Sequence, residues 1–332
     1  MQLGQRLELL TRLQDHMLNS DIQWQSAKEN AFIHNAWFLP PFVDLAALNI
    51  ADTLLNKTRL QQWADAYQLA EIPPASKSIG LILPGNIPLG GFYHFVCIFL
   101  AGYKQRIRLS PKDEVLIKHL VQQMAAWDAS VMQYFSFEDM LKGCDAYVAT
   151  IDNKISKQFE VYFGKYPSFI YRLQKSAAIL KGDETRAELE SLADDIFQYF
   201  GQGCMNVSKL FVPRQYDFIP LLKAFEKYNH LIDHNKYKNN YDYQLSLLIL
   251  NKQFYMTNGS ILLTESAAPT SPAARLNYEF YDDFAGISDK IRNSFSEQSI
   301  AGTGYRPLGQ ASRSVTCGSG PGTDLLQFLR DL

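Results

Sequence analysis

Leu3, Leu7, Leu10 and Leu13 recur at helical spacing, and Leu55, Leu60 and Trp63 repeat the pattern further on. Residues 1–75 therefore read as helical, with Pro40-Pro41 and Pro73-Pro74 as interruptions. The rhythm then changes. Short apolar runs of strand length occur over 78–83, 105–109, 146–150, 177–180 and 209–213. Between them lie amphipathic or apolar stretches over 92–101, 113–126, 154–163 and 185–200. Alternation of this kind predicts parallel βαβ units, an α/β fold with helices covering the faces of the sheets. Further strands are expected over 254–263 and 274–281. The charged stretch 183–200 is the candidate hinge between two domains, 1–180 and 181–332. The segment 302–323 is rich in Gly and Ser and reads as irregular.

Residues 78–103 carry no Asp, Glu, Lys or Arg. The run is long enough to span a bilayer, but Pro84, Pro88 and four glycines break its first half, so it reads as a buried strand, a turn and a buried helix. No membrane span is expected. With 332 residues, 47% of them apolar, the chain has material for two cored domains. A net charge of −2 lacks the basic excess that binds nucleic acid by displacing counterions. Cys97, Cys144, Cys204 and Cys317 stand far apart with no metal-ligand spacing, so the expectation is free thiols and no zinc. His230 and His234 sit four apart without a third ligand. The first residues lack an apolar signal core, and the chain reads as cytoplasmic.

Two segments carry candidate chemistry. In Gly201-Gln202-Gly203-Cys204 the glycines let the backbone turn sharply and approach a ligand. A thiol there would lie near backbone N–H groups that lower its pKa and hold an oxyanion. The plain alternative is a buried structural cysteine. In Leu83-Pro84-Gly85-Asn86-Ile87-Pro88-Leu89 the Asn86 amide is pinned between prolines at the carboxyl end of a parallel strand, where open α/β sheets bind ligands. It is either an oxyanion donor or a residue that bridges turn backbone. His94, on the following helix, reads as a core histidine or a site-lining one.

Together these segments resemble aldehyde dehydrogenases. Pro84-Gly85-Asn86-Ile87-Pro88-Leu89 is similar to their Trp-Asn-Phe-Pro-Leu motif, and Gly201-Gln202-Gly203-Cys204 to their Gly-Gln-x-Cys motif. A branch of that superfamily, the LuxC-like long-chain acyl-CoA reductases, resembles the chain more closely. The block Gly201 to Leu210 matches its Gly-x-Gly-Cys-x-Asn-Val-Ser-Lys-Leu signature. Asn35-Ala36-Trp37-Phe38, the stretch 162–167 and the stretch 178–185 resemble it too, in the same order. The fold this implies is aldehyde-dehydrogenase-like: two Rossmann-related α/β domains with the active site in the cleft between them.

The resemblance also implies a mechanism. Cys204 attacks a fatty acyl-CoA thioester, and the oxyanion is held by the Asn86 amide and the Cys204 backbone N–H. CoA leaves, and hydride from NADPH carries the S-acyl enzyme to the aldehyde. Cys204 and Asn86 are thus expected to converge on one carbonyl oxygen. Ile179 stands where hydrolytic relatives have a general-base Glu, which favours reduction over hydrolysis; Glu184 and Glu265 are the carboxylates that would replace it.

The cofactor side departs from the pattern. Thr150 and Asn153 fall at the nucleotide, yet Ile151-Asp152 replaces the usual Gly-Ser. Arg108, Ser110 and Lys112 fall at the adenosine ribose, where basic residues favour NADPH. The tail, Val315 to Asp324, differs from the family ending. Two alternatives stay open: acyl transfer or slow thioester hydrolysis through Cys204 without hydride transfer, and a catalytically silent binding subunit. A homodimer is the assembly the resemblance suggests.

Overall fold

The structure, a computed structural model, describes residues 1–332 except 20, 73–76, 152–158, 174–175, 285–286, 288–290, 292–293 and 311–323. It divides into two compact units, residues 1–173 with 315–332, and residues 174–314.

The first unit opens with four helices, α1 (Leu3–Leu18), α2 (Ile22–His34), α3 (Pro40–Thr53) and α4 (Lys57–Ala66). Leu9, Leu10, Leu13 and Met17 give α1 its buried stripe. Asp21 caps α2 by accepting the Trp24 N–H, and Asn56 caps α4 from Thr58 and Arg59. Pro40 and Pro41 open α3 rather than break a helix, because the first turn needs no N–H from them.

Then come β1 (Ser78–Ile82), α5 (Phe92–Ala101), β2 (Lys104–Arg108), α6 (Val115–Trp127), β3 (Phe135–Phe137), β4 (Ala146–Ile151) and β5 (Ser168–Arg172). They form a parallel five-stranded sheet of order β3-β2-β1-β4-β5. Strand order reverses between β1 and β4, the place where doubly wound sheets bind ligands beyond their carboxyl ends. Every residue of α5 is buried, which explains the charge-free run. Among the described residues no helix is long and apolar enough to cross a membrane.

The second unit comprises β6 (Ser176–Ile179), α7 (Arg186–Phe197), β7 (Val207–Pro213), α8 (Phe218–Phe225), α9 (Asn235–Leu250), β8 (Met256–Thr257), β9 (Leu262–Glu265), β10 (Arg275–Tyr281) and β11 (Ile300–Gly302). Its six-stranded sheet has the order β11-β6-β7-β10-β9-β8, parallel except for the β8–β9 pair. The expected strand over 254–263 is therefore two strands, β8 and β9, split by a turn that Asn258 holds through the N–H groups of Ser260 and Ile261. The polar run 236–243 lies in the first half of α9, with Tyr237 and Tyr241 buried.

The expected boundary at 180 lies a few residues late. β6 pairs with β7 and belongs to the second sheet. The last helix, α10 (Leu325–Arg330), buries Leu325, Leu326 and Leu329 in the core of the first unit. β3, β5 and β11 have no counterpart among the expected strands. Each lies at the edge of its sheet, where a short segment needs only one neighbour and leaves little periodicity to read.

Candidate functional site

Asn86 sits in the connection from β1 to α5, at the switch point of the first sheet. Two contacts shape that loop. Leu89 adopts a left-handed φ of +56° and donates its N–H to Asp113 Oδ2 at 2.9 Å. Gly85 lies against the loop after β2, so closely that a Cβ there would stand 2.3 Å from Ser110 Oγ and 3.0 Å from Lys112 Cβ. Only glycine permits this approach.

The loop after β2 is braced in turn. Asp113 N–H donates to the Ser110 carbonyl at 2.9 Å. Asn35, buried near the end of α2, donates Nδ2–H to the Lys112 carbonyl at 3.1 Å and accepts from Trp37 N–H. The Asn35-Ala36-Trp37-Phe38 segment thus acts as scaffolding for residues 110–113. Neither Asn35 nor Asp113 emerged from the sequence as a support, because both bonds run between segments far apart in the chain.

Among the expected cofactor residues, Arg108, Ser110 and Lys112 gather at the carboxyl end of β2 beside the Asn86 loop. Arg108 and Lys112 are exposed and Ser110 is half-buried. Thr150 is not displayed: it is buried at the end of β4, with its hydroxyl 2.9 Å from His94 Nδ1. Ile151 turns the other way, into an apolar cluster with Tyr147, Ala149 and Phe159, so its side chain does not block the carboxyl end. Asn153 and Asp152 lie outside the described residues.

Two buried groups here titrate abnormally. Burial pushes the His94 imidazole down to about 4 and the Asp113 carboxyl up to about 8. The neutral imidazole stabilises the fold above the unfolded-state pKa of about 6.5, and that stability is lost as pH falls towards 4. The protonated Asp113 acts oppositely: its stability is full below about 3.9 and is lost as pH rises towards 8. The slopes oppose each other between roughly pH 4 and 6.5. Asp113→Asn is expected to uncover a rise in stability with pH across that window. Urea midpoints measured at intervals from pH 4 to 8, wild type against variant, check this; parallel profiles would refute it.

Cys204 is delivered by a turn between α7 and β7. Tyr199, Phe200 and Gly201 all adopt left-handed φ angles, +53°, +55° and +69°. Two aromatic residues in that region cost about 1–3 kcal/mol each and persist only where the surroundings over-determine them. Asn206 supplies the constraint. It is buried, accepts Gly203 N–H at 2.7 Å, and donates Nδ2–H to the carbonyls of Asp195 at 2.8 Å and Gln198 at 3.0 Å. Asn206→Ala would strand three backbone groups, and a loss of about 3 kcal/mol or more is expected in the urea-unfolding free energy.

The rest of the block anchors the neighbouring loop. Ser208 Oγ donates to Pro269 O at 3.2 Å, and the buried Lys209 ammonium meets Glu279 at 2.9 Å and the Ser266 carbonyl. Cys204 is 3% exposed. Cys97 and Cys144 are free thiols as expected, but Cys204 stands in a disulfide, so only its reduced form offers a nucleophile.

The candidate bases fare differently. Ile179 ends β6 at the level of Phe211, whereas Cys204 precedes Val207, which pairs with Ser176 at the start of β6. The two positions lie at opposite ends of the strand pair, so Ile179 does not mark a vacant base beside Cys204. Glu184 holds the N–H groups of Lys181 and Gly182; it is a turn residue. Glu265 is exposed at the end of β9. His234 caps α9 by accepting Tyr237 N–H. Among the described residues no group of three or more His, Cys, Asp or Glu could hold a metal ion. The Gly318-Ser319-Gly320 segment and Cys317 lie outside the described residues.

No protein-family model and no curated protein matches the chain. Solved structures do. Aldehyde dehydrogenase 21 from Physcomitrella patens, in complex with the reaction product succinate, is 12% identical, with a TM-score of 0.66 over 88% of this chain and 71% of that one. NADP-dependent glyceraldehyde-3-phosphate dehydrogenase from Bacillus halodurans, complexed with NADP, is 12% identical, with a TM-score of 0.64 over 96% and 76%. The P. syringae indole-3-acetaldehyde dehydrogenase AldA, a mutant in complex with NAD+ and IAA, is 14% identical, with a TM-score of 0.60 over 96% and 76%. At such identities the likeness is one of fold: this chain has the aldehyde dehydrogenase fold.

Proposed function

We propose that the protein is an NADPH-dependent acyl-CoA reductase that works through an S-acyl intermediate on Cys204. The carrying observation is the run of left-handed residues 199–201, braced by Asn206 and ending shortly before a cysteine in this fold. Strain of that kind is maintained where a side chain must be aimed, and it clusters at functional sites. Support comes also from the resemblance to LuxC-like acyl-CoA reductases and from fold neighbours described as aldehyde, indole-3-acetaldehyde and glyceraldehyde-3-phosphate dehydrogenases, the last two holding NAD+ and NADP.

In this reading the reduced Cys204 sulfur forms a bond to the thioester carbonyl carbon. Its proton passes to solvent water before attack. The Asn86 Nδ2–H donates to the developing oxyanion. The C–S bond to CoA breaks, the thiolate leaving with the electron pair, and the acyl group stays on Cys204. Bound NADPH, held by Arg108, Ser110 and Lys112, would supply the hydride that takes the acyl carbon to the aldehyde level. Release of the aldehyde returns Cys204 as thiolate.

The residues after β2 fit the cofactor. Arg108 and Lys112 offer positive charge at the carboxyl end of the second strand, where a 2′-phosphate is held in doubly wound sheets.

The test uses reduced protein with acyl-CoAs of graded chain length, following NADPH oxidation and free CoA together. Equal rates of both support reduction. CoA release without NADPH loss would replace this reading with acyl transfer or hydrolysis, and neither signal would leave a binding subunit.

A further inference from the structure

We propose that Asp113 is a positioning residue for the Asn86 loop, a claim that rests on reading Asn86 as the oxyanion donor. Asp113 shortly precedes α6, where an acid is ordinarily a helix cap. It does not serve as one. The N-cap of α6 is Glu114, which makes no side-chain cap bond. The Asp113 carboxyl reaches back to the Asn86 loop instead, accepting Leu89 N–H across 24 residues of sequence. It is 4% exposed, and its Oδ1 has no hydrogen-bond partner among the described residues. A carboxyl kept in so poor a place for charge, on a single bond, is costly if that bond does nothing.

What the bond does follows from where it lands. Leu89 is one of only a few non-glycine residues with left-handed φ among those described, and its side chain is buried. Holding its N–H fixes the exit of the loop, three residues after Asn86. The entrance is fixed by the Gly85–Ser110 contact. Asp113 is itself held, through its N–H on Ser110 O and through Asn35 on the adjoining Lys112 carbonyl. Asn86 is thus suspended between two anchors that both belong to the loop after β2. That loop also carries Ser110 and Lys112, so a ligand seated there bears on the amide aimed at the substrate.

The experiment compares Asp113→Ala and Asp113→Asn with wild type by amide hydrogen exchange, following peptides that cover 84–91, β4 and the later turns of α6. Alanine is expected to speed exchange at Leu89 by about tenfold, with β4 and α6 unchanged. Asparagine keeps an acceptor oxygen and should retain protection. Turnover is expected to follow: kcat falls about tenfold in Asp113→Ala with KM for acyl-CoA little changed, and asparagine restores most of it. Unaltered exchange at 84–91 in Asp113→Ala overturns the proposal. So does acceleration spread evenly over all peptides, or an asparagine variant no better than alanine. If the exchange pattern appears but wild type releases no CoA from any acyl-CoA, the function assigned to Asn86 fails while the anchoring of its loop by Asp113 stands.

Discussion

Replacing Cys204 with alanine is expected to remove NADPH oxidation and CoA release together, by on the order of 10⁶-fold, the scale reached when a lone nucleophile is deleted from a machinery that otherwise remains. The loss should be simultaneous because hydride transfer needs the S-acyl group that the sulfur creates. The comparison belongs under reducing conditions. Cys204 stands in a disulfide, so wild type without reductant should resemble the variant, and added thiol should restore wild type only. Far-UV circular dichroism of reduced samples checks that the secondary structure survives, as it should, since Asn206 rather than the sulfur braces the turn. Turnover persisting in Cys204→Ala would remove the basis of the functional reading.

Asn86→Ala carries the second large effect. An amide aimed at an oxyanion contributes more in the transition state than in the bound substrate, so kcat should fall about 10²–10³-fold while KM for acyl-CoA moves little. Acylation in a single turnover should slow by the same factor. Two residues serving one tetrahedral intermediate are also non-additive: in a Cys204→Ala background, whose residual rate no longer passes through an S-acyl group, Asn86→Ala should cost less than in wild type. A mutation that raised KM alone would make Asn86 a binding residue. Equal losses in both backgrounds would mean that the amide and the sulfur do not share a carbonyl.

The sequence by itself determined the class of fold, because alternating apolar runs and amphipathic stretches are local and strong. α5, with all ten residues buried, was legible to its ends from the absence of charge between two glycines. The Asn86 loop and the Cys204 turn were legible as chemistry because proline and glycine advertise backbone constraint. Tertiary structure decided what surrounds them. That Asp113 serves Leu89 rather than α6, that Asn35 holds the loop after β2, and that Thr150 is occupied by His94 are matters of hydrogen bonds across 24, 77 and 56 residues. No periodicity encodes them. The position of Ile179 shows the same limit in reverse: a residue that motif order sets beside Cys204 lies at the far end of the sheet, because a parallel crossover carries the chain the full length of a strand and back before the next begins.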